Sequence, residues 1–491
     1  KSNHIIDRGL KVIRQKAETG LGLRYLRGHA LLASGDAEHI KFLKDYVFKN
    51  KEFQPQRKIN PYAYPNGTWH LTYQGLFAAE YYFVTNENHI LLPLRNIISA
   101  LAKGQTHSGM WGDQLTSHPL DYGALFSRPS GKGIVNQISG SAFLALVLAK
   151  KAGVFDEYSD YAIEHAIKNY ASISGHGSLD SIAQKVVDTY DIDGNNGAPA
   201  FAFKFLNNIN HAKYFAMVSA VVAHNKDSKK NFAVGNEQAT LWSTLSTSLL
   251  GKKAVQSYHR KHRNWYALAR MHDGSWIHQL PNGGLTCKAD PTSMYLLQYL
   301  CIREKTHLTG KEKNEHLILN DHQFKDLKFN TLKVKGIINK LKNISLSECL
   351  DYFDTFSPVL RSLLCVEYGI KYNAKNLNEV PAAIIEFIRE GTERQKACAI
   401  LALSQCGESV IKKHLPLLIN QLSNNSDLVI ISTIKALAKH YKNLEPLVIT
   451  PLLKLVTHKK YSNLSNDLNS IPYHVFNMLF PEIPDNSLFA H

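Results

Sequence analysis

A chain of 491 residues, 44% of them hydrophobic, is too long for one ordinary core and is expected to fold as two or more globular domains. Lys and Arg outnumber Asp and Glu by 57 to 41, and the net charge of +16 favours an anionic partner, whether nucleic acid, a membrane surface or an acidic polysaccharide. No block of consecutive Lys and Arg makes a nucleic-acid arm, and no apolar run reaches the roughly 20 residues that span a bilayer.

Much of the basic excess lies in Lys-rich stretches such as Lys311 to Lys342, where a solvated surface is the plain reading. A start at Lys1 leaves room for a removed signal peptide, which would make the protein periplasmic or secreted. The six cysteines, Cys287, Cys301, Cys349, Cys365, Cys398 and Cys406, form no CxxC pair, so neither a zinc cluster nor a disulfide framework is indicated. Cys398, in KACAILAL, reads as a small buried hydrophobe.

In chain order, Lys11 to Phe48 supplies a first helical pair, with GLGLRYLRGHALLAS as its inner member. There follow segments opened by Gly or a small polar residue and apolar nearly all round: Gly67 to Val84, Gly140 to Gly153, Gly194 to Leu206, Gly235 to Leu250 and Asp290 to Arg303. A helix without a polar face must be buried on every side. Between them, His89 to Leu101, Tyr158 to Tyr170, His211 to Ala223 and Ala254 to Ala269 carry a narrower apolar stripe and read as outer helices with one wet face. Inner and outer helices alternating in about six pairs predict an all-α fold whose first domain, residues 1 to 310, is an α/α toroid.

Residues 311 to 379 read as a Lys- and Asn-rich helical linker. From 380 to 491 the pattern becomes that of HEAT-like α-solenoid repeats. GTERQKACAILALSQCG and, about 34 residues on, NNSDLVIISTIKALAKH hold equivalent places, as do HLPLLINQLS and VITPLLKLVT. The tail from Ser470 is expected to cap the body or pack back on it.

The succession GTWHLTYQGLFAAEYYFVTNE, AKGQTHSGMWGDQ, GSAFLALVLAKKAGV, DGNNGAPAFAFKFL, RNWYALARMHDGSWIHQ and DPTSMYLLQYLCIREKTHLTGK resembles a bacterial toroid family known only as a domain of unknown function and common in planctomycetes. That family is similar in architecture to terpene cyclase, prenyltransferase, six-hairpin glycosidase and polysaccharide lyase rings. The resemblance covers about Gly9 to Lys311 and implies the fold, with no activity attached. Where it implies a His-Thr-Gly opening to the penultimate inner helix, this chain has Gly235, Asn236, Glu237 and Gln238. Terpene cyclase chemistry would need an Asp-rich motif, for which DIDG at Asp191 to Gly194 is a poor substitute, and no Asp/Cys/His set is spaced for a prenyltransferase zinc.

In such a fold the loops leading into inner helices converge, and unpaired N–H groups at the helix N-termini favour an anionic ligand. Those loops concentrate residues suited to sugars, whose apolar faces stack on aromatic rings and whose hydroxyls bind amides and carboxylates. Trp69, His70, Trp111, Tyr122, Asn195, Asn196, Asp273 and Trp276 are expected to bind substrate. Trp69 and Trp111 read equally as plugs of helical hairpins, and Asp113, Asp193 and Asp273, each beside Gly, equally as turn or cap residues.

A glycoside hydrolase needs a protonated carboxyl to assist the leaving oxygen and a carboxylate to activate water. Asp113 and Glu237 are the preferred pair, with Asp193 as substitute. A polysaccharide lyase needs an amide or cation on the uronate carboxylate and a Tyr or His for the C5 proton, which Asn196, His70, His107, Tyr122 and Tyr266 could supply. No organic cofactor is obligatory for either route, and no residue is assigned as a metal ligand. Glu80, inside FAAEYYF, reads as a buried carboxylate paired with a histidine or backbone. The expected partner is thus a polysaccharide or oligosaccharide, with the basic balance favouring an acidic one, and the alternative is a non-catalytic glycan-binding or protein-interaction scaffold.

Overall fold

The computed structural model describes residues 2–15, 24–55, 59, 67–106, 108–115, 135–174, 178–179, 186–187, 196–225, 235–277, 291–312, 314–330, 334–355, 357–375, 377, 379–457, 471, 475 and 478–479. The fold is all-α: strand among these residues is confined to Ser178–Leu179 and Val186–Val187. The chain divides into two compact units, the first within residues 1–324 and the second chiefly within 325–491.

Twelve α-helices of the first unit are described: α1 (Ser2–Gln15), α2 (Arg24–Ser34), α3 (Ala37–Lys49), α4 (Gly67–Thr85), α5 (Leu91–Lys103), α6 (Asn136–Lys151), α7 (Glu157–Ile173), α8 (Gly197–Phe205), α9 (Ile209–Asn225), α10 (Gly235–Leu249), α11 (Lys252–Ala269) and α12 (Pro291–Leu300). The even-numbered helices pack in a closed order: α2 on α4, α4 on α6, α6 on α8, α8 on α10, α10 on α12, and α12 back on α2. Burial follows from that order. All of α4 from Gly67 to Tyr81 except Trp69 is buried, as is α8 from Gly197 to Lys204.

Odd-numbered helices cover this inner layer with one stripe each. In α5 the stripe is Pro93, Leu94, Ile97, Ile98, Leu101 and Ala102, and in α7 it runs from Ser159 through Ala162, Ile163 and Ala166 to Tyr170 and Ile173, the spacing of one helical face. Local signals start these outer helices. Asp36 caps α3 by accepting from the amides of Glu38 and His39, and Asp156 opens α7 in a capping box with Ser159.

Every inner helix ends in a tight turn through a left-handed residue: Gly35, Asn86, Gly153, Asn207, Gly251 and Glu304, with φ between 51° and 97°. Such a residue frees the chain to reverse at once into the next outer helix. Close approach within the inner layer also depends on missing side chains: a Cβ on Gly28 would stand 2.4 Å from Phe77 Cε2.

The segment after α12, residues 301–312, spans the C-terminal ends of the inner helices. Arg303 donates to Ser34 O at the end of α2 (3.1 Å) and pairs with Asp7 of α1 (3.0 Å). Glu80 of α4, fully buried, accepts from the amides of His307 (3.1 Å) and Leu308 (2.7 Å) and lies 3.1 Å from His307 Nδ1. Lys204 of α8 donates to Glu312 O, and Lys151 of α6 pairs with the Glu312 carboxylate at 3.1 Å.

Burial opposes ionisation of Glu80, but the hydrogen bonds and charge of His307 and the Leu308 amide overcome it and hold the carboxyl below its usual range. Burial pulls the Lys204 ammonium down to about 8, partly offset by Glu312 and Glu80. His29 of α2, near Glu80, is pulled down to about 4, again by burial.

The second unit is built from α14 (Val334–Asn343), α15 (Leu346–Leu350), α16 (Pro358–Ala374), α17 (Ala382–Glu390), α18 (Glu393–Gln405), α19 (Glu408–Gln421), α20 (Asp427–Ala438) and α21 (Tyr441–Val456), with α13 (Asp321–Asn330) spanning the division. Here α16, α18 and α20 form one layer and α17, α19 and α21 lean against it, as in stacked HEAT-like helix pairs. Side-chain ties link positions one repeat apart: His440 Nε2 lies 2.9 Å from Ser404 O, and Lys413 pairs with Glu379 at 3.2 Å. Thus α16, within the stretch read from sequence as linker, packs on α18 as α18 packs on α20. The five described cysteines are free and buried, four of them in this layer or beside it.

Candidate functional site

The connections of the first unit are sharply unequal. Those leaving inner helices occupy 35–36, 86–90, 152–156, 206–208 and 250–251, whereas those entering them occupy 16–23, 50–66, 104–135, 174–196, 226–234 and 270–290. Long loops on a rigid scaffold are where function concentrates. From α4 through α6 to α8 the contacts match like levels: a Cβ on Gly140, in the second turn of α6, would meet Pro199 in the first turn of α8 at 2.6 Å, and Gly75 of α4 lies level with Ala145 of α6, whereas Gly197 at the start of α8 faces the Trp242 carbonyl, seven residues into α10. The 301–312 segment also takes ties from Ser34, Glu80, Lys151 and Lys204, toward the C-terminal ends of α2, α4, α6 and α8, so these four inner helices run in one direction. Their N-termini, with orphan N–H groups and partial positive charge, share the end reached by the longer connections.

Across the closed order α4 stands opposite α10, and the two meet where the Trp242 indole N–H donates to Tyr73 Oη at 3.4 Å, both side chains buried. Tyr73 is six residues into α4 and Trp242 seven into α10. At 1.5 Å per residue both first turns stand roughly 10 Å above this contact, which is a floor between them.

Asp113 belongs to the wall at α4. Its carboxylate Oδ1 accepts from the Trp69 indole N–H at 2.8 Å, and its backbone carbonyl accepts from the Thr68 amide at 3.4 Å. Trp111 fixes the turn that presents it. That ring is fully buried, its indole donates to Leu101 O (2.9 Å), and its backbone amide donates to Ser139 Oγ (2.9 Å), while its carbonyl accepts from Val135 N (2.9 Å). Trp111 thus plugs the hairpin and offers no stacking face, whereas Trp69, half-buried, keeps part of its surface open.

On the other flank of the α4 first turn, His70 Nε2 lies 3.8 Å from Glu52 Oε1 and Tyr25 Oη donates to Glu52 Oε2. Gln74 Nε2 donates to Glu52 O at 3.2 Å, and the Asn50 side chain, capping the short turn Lys51–Phe53, accepts from the Glu52 amide at 2.9 Å. Glu52 escapes a sequence reading because KNKEF looks like solvated surface, and Tyr25 because it reads as core within the inner helix GLGLRYLRGHALLAS. The signal that could have found Glu52 is the Asn50 cap immediately before it.

The remaining expected residues fall in three groups. Asp193, His107, Tyr122 and Asn195 lie outside the described residues, as does the side chain of Glu237, whose backbone sits in the first turn of α10. Asn196 is fully buried at the N-cap position of α8 without a side-chain cap bond. The third group is the corner at α11 and α12. Asp273, exposed, accepts from the amide (2.8 Å) and hydroxyl (2.7 Å) of Ser275, the work of a turn residue. Trp276 is 1% exposed, and Tyr266, 2% exposed, donates its hydroxyl to Gln298 Oε1 at 2.5 Å. Burial pushes the Tyr266 phenol well above its ordinary range.

Among the described residues no group of three His, Cys, Asp or Glu side chains could hold a metal, and no helix is long and apolar enough to cross a membrane. Residues 2–310 match the family described as Domain of unknown function (DUF6288). No curated protein and no solved structure matches the chain.

Proposed function

We propose, for a chain that belongs to the DUF6288 family of domains of unknown function, a carbohydrate-active enzyme that cleaves a polysaccharide by hydrolysis of the glycosidic bond. The closed order of inner helices supports reading the first unit as an α/α toroid, with the substrate over the Tyr73–Trp242 contact at the end reached by the longer connections. One observation carries the reading: Asp113 is fixed at the first turn of α4, and the first turn of α10, which bears Glu237, stands across that floor.

Asp113 activates the attacking water and Glu237 protonates the leaving oxygen, with Asp193 as the substitute acid. An inverting pair needs about 6.5–9.5 Å between carboxyls, a gap compatible with two opposed helices flanking a floor. Trp69 stacks on a sugar face and holds Asp113 in its rotamer. The helix N-termini and the basic balance favour a polysaccharide that carries negative charge. Of the groups offered for β-elimination, Tyr266 is disfavoured as a base, because it spends its hydroxyl on Gln298 and resists ionisation.

The experiment is product analysis on a panel of acidic and neutral glycans with the protein and its Asp113→Asn and Glu237→Gln variants. Hydrolysis releases reducing ends without ultraviolet-absorbing unsaturated sugar, and Asp113→Asn lowers the rate by about 10²–10⁴-fold while leaving the unfolding midpoint in place. Unsaturated product would replace hydrolysis by elimination. Binding without cleavage of any glycan would replace enzyme by scaffold.

A further inference from the structure

At the corner formed by the end of α11 and the turn at residues 270–276, three buried nitrogens have no hydrogen-bond partner: Arg270 Nε, Trp276 Nε1 and His259 Nε2. Two of the three side chains lie against one tyrosine, and the third lies against one of those two. Trp276 lies 5.9 Å from the Tyr299 ring, and His259 stacks on the same ring at 5.6 Å with 27° between planes. Arg270 pairs with Trp276 across an antiparallel bridge, and its guanidinium carbon stands 5.9 Å from the indole centroid.

A buried donor left unmade costs about 1–3 kcal/mol, so native structures ordinarily satisfy such groups with protein, water or ion. Two of these three, the guanidinium Nε–H and the indole N–H, can only donate, which calls for an acceptor. The acceptor must also answer a charge. Arg270 forms no ion pair among the described residues, although Asp273 is three residues away and occupied by the Ser275 turn. From Lys252 to His272 the sequence carries six Lys and Arg and no carboxylate. His259 is held neutral at physiological pH, burial pulling it down to about 4, and so can give or take one hydrogen bond without adding charge.

We propose that Arg270, Trp276 and His259 form an oxyanion-binding site on the α11–α12 wall, taking a carboxylate, phosphate or sulfate group against the face of Tyr299. Arg270 supplies charge and a directed N–H, the indole a second donor, and the stacked rings a dry wall that strengthens both. This site is separate from the Asp113 flank of α4 and stands whether or not the glycan reading does.

The test is an indole N–H titration by ¹H–¹⁵N NMR with sodium phosphate, sodium sulfate and sodium glucuronate at constant ionic strength, Trp276→Phe assigning the resonance. The Trp276 signal is expected to shift and saturate with at least one probe, the one saturating lowest identifying the source of the oxyanion. Arg270→Gln should weaken that response about tenfold or more, Arg270→Lys should keep the charge and recover part of it, and Arg263→Gln, on the exposed face of α11, should leave it unchanged. No shift of the Trp276 resonance with any probe, or equal losses in the Arg270 and Arg263 variants, overturns the site in favour of diffuse attraction to a basic helix.

Discussion

The two units solve the burial of an all-α core by different means. In the first, residues far apart in sequence close the structure on itself: Arg303 reaches back 269 residues to Ser34 O, and Glu80 takes two amides from residues 227 and 228 positions away. In the second, the ties are a repeat apart, as between Cys365 and Cys398, 33 residues apart with sulfurs 3.7 Å from each other. The buried ionisable groups differ accordingly. The first unit buries Glu80, His29, His259 and Lys204 with one thiol, Cys301, while the second buries Arg361 and Glu367 with thiols at Cys349, Cys365 and Cys406, every one of these four thiols pushed up by burial. Closure places polar staples where segments far apart in sequence meet, whereas the stacked repeats place theirs between neighbours one repeat apart.

The sharpest way to break this contrast is Glu80→Ala. It orphans two buried amides and the His307 ring, and is expected to cost about 3–5 kcal/mol of the first unit's stability. Hydrogen exchange under denaturant should show protection lost across α4, α8 and 301–312 and retained in α18 and α20. Equal loss in both units would mean that they unfold as one body.

Acid should separate the units next. His29 and His259 are held near 4 in the folded state against about 6.5 unfolded, so the unfolded chain binds more protons between those values. Stability is complete above pH 6.5 and falls as the pH drops toward 4, by on the order of 1–2 kcal/mol per histidine at pH 5. Glu80, with its folded value depressed, removes more once the pH passes below about 4.5. Calorimetry at pH 7 and 5 should move the first unit's transition down and leave the second unit's nearly in place.

The smallest effect tests the repeats. Gly369 of α16 lets α18 approach so closely that a Cβ there would stand 2.4 Å from Gln405 Cβ and 2.9 Å from its carbonyl oxygen. Gly369→Ala should cost about 1–3 kcal/mol, confined to the second unit, in urea titrations followed by thiol reactivity of Cys365 and Cys398.

The same contrast explains what the sequence could tell. Helices apolar on every side announced α4, α8 and α10, and the 34-residue echo announced α18 to α21, because both signals are periodic and local. FAAEYYF disclosed that Glu80 had to be paired, but not that His307 and Leu308 would do it, since no local pattern links residues that far apart. Around the candidate site, Asp113 was visible from its Gly-flanked loop, while its dependence on the Trp69 indole and the neighbouring Glu52–His70–Tyr25 group arose only from packing. Trp111 and Trp276 looked like sugar-stacking aromatics, and Tyr266 like a base, because ring and phenol chemistry is the same in a cleft and in a core; only burial distinguishes them. The turns at Asn86, Asn207 and Glu304 went unread because φ is not written in residue type alone.

The most direct measurement of the central claim is amide exchange with and without an acidic oligosaccharide drawn from a positive panel member. Protection is predicted to rise in 67–75, 136–141 and 235–243, the first turns of inner helices over the Tyr73–Trp242 floor, with 301–312 and the second unit unchanged. Protection gained only in the second unit, or at the 301–312 end of the first, would contradict it.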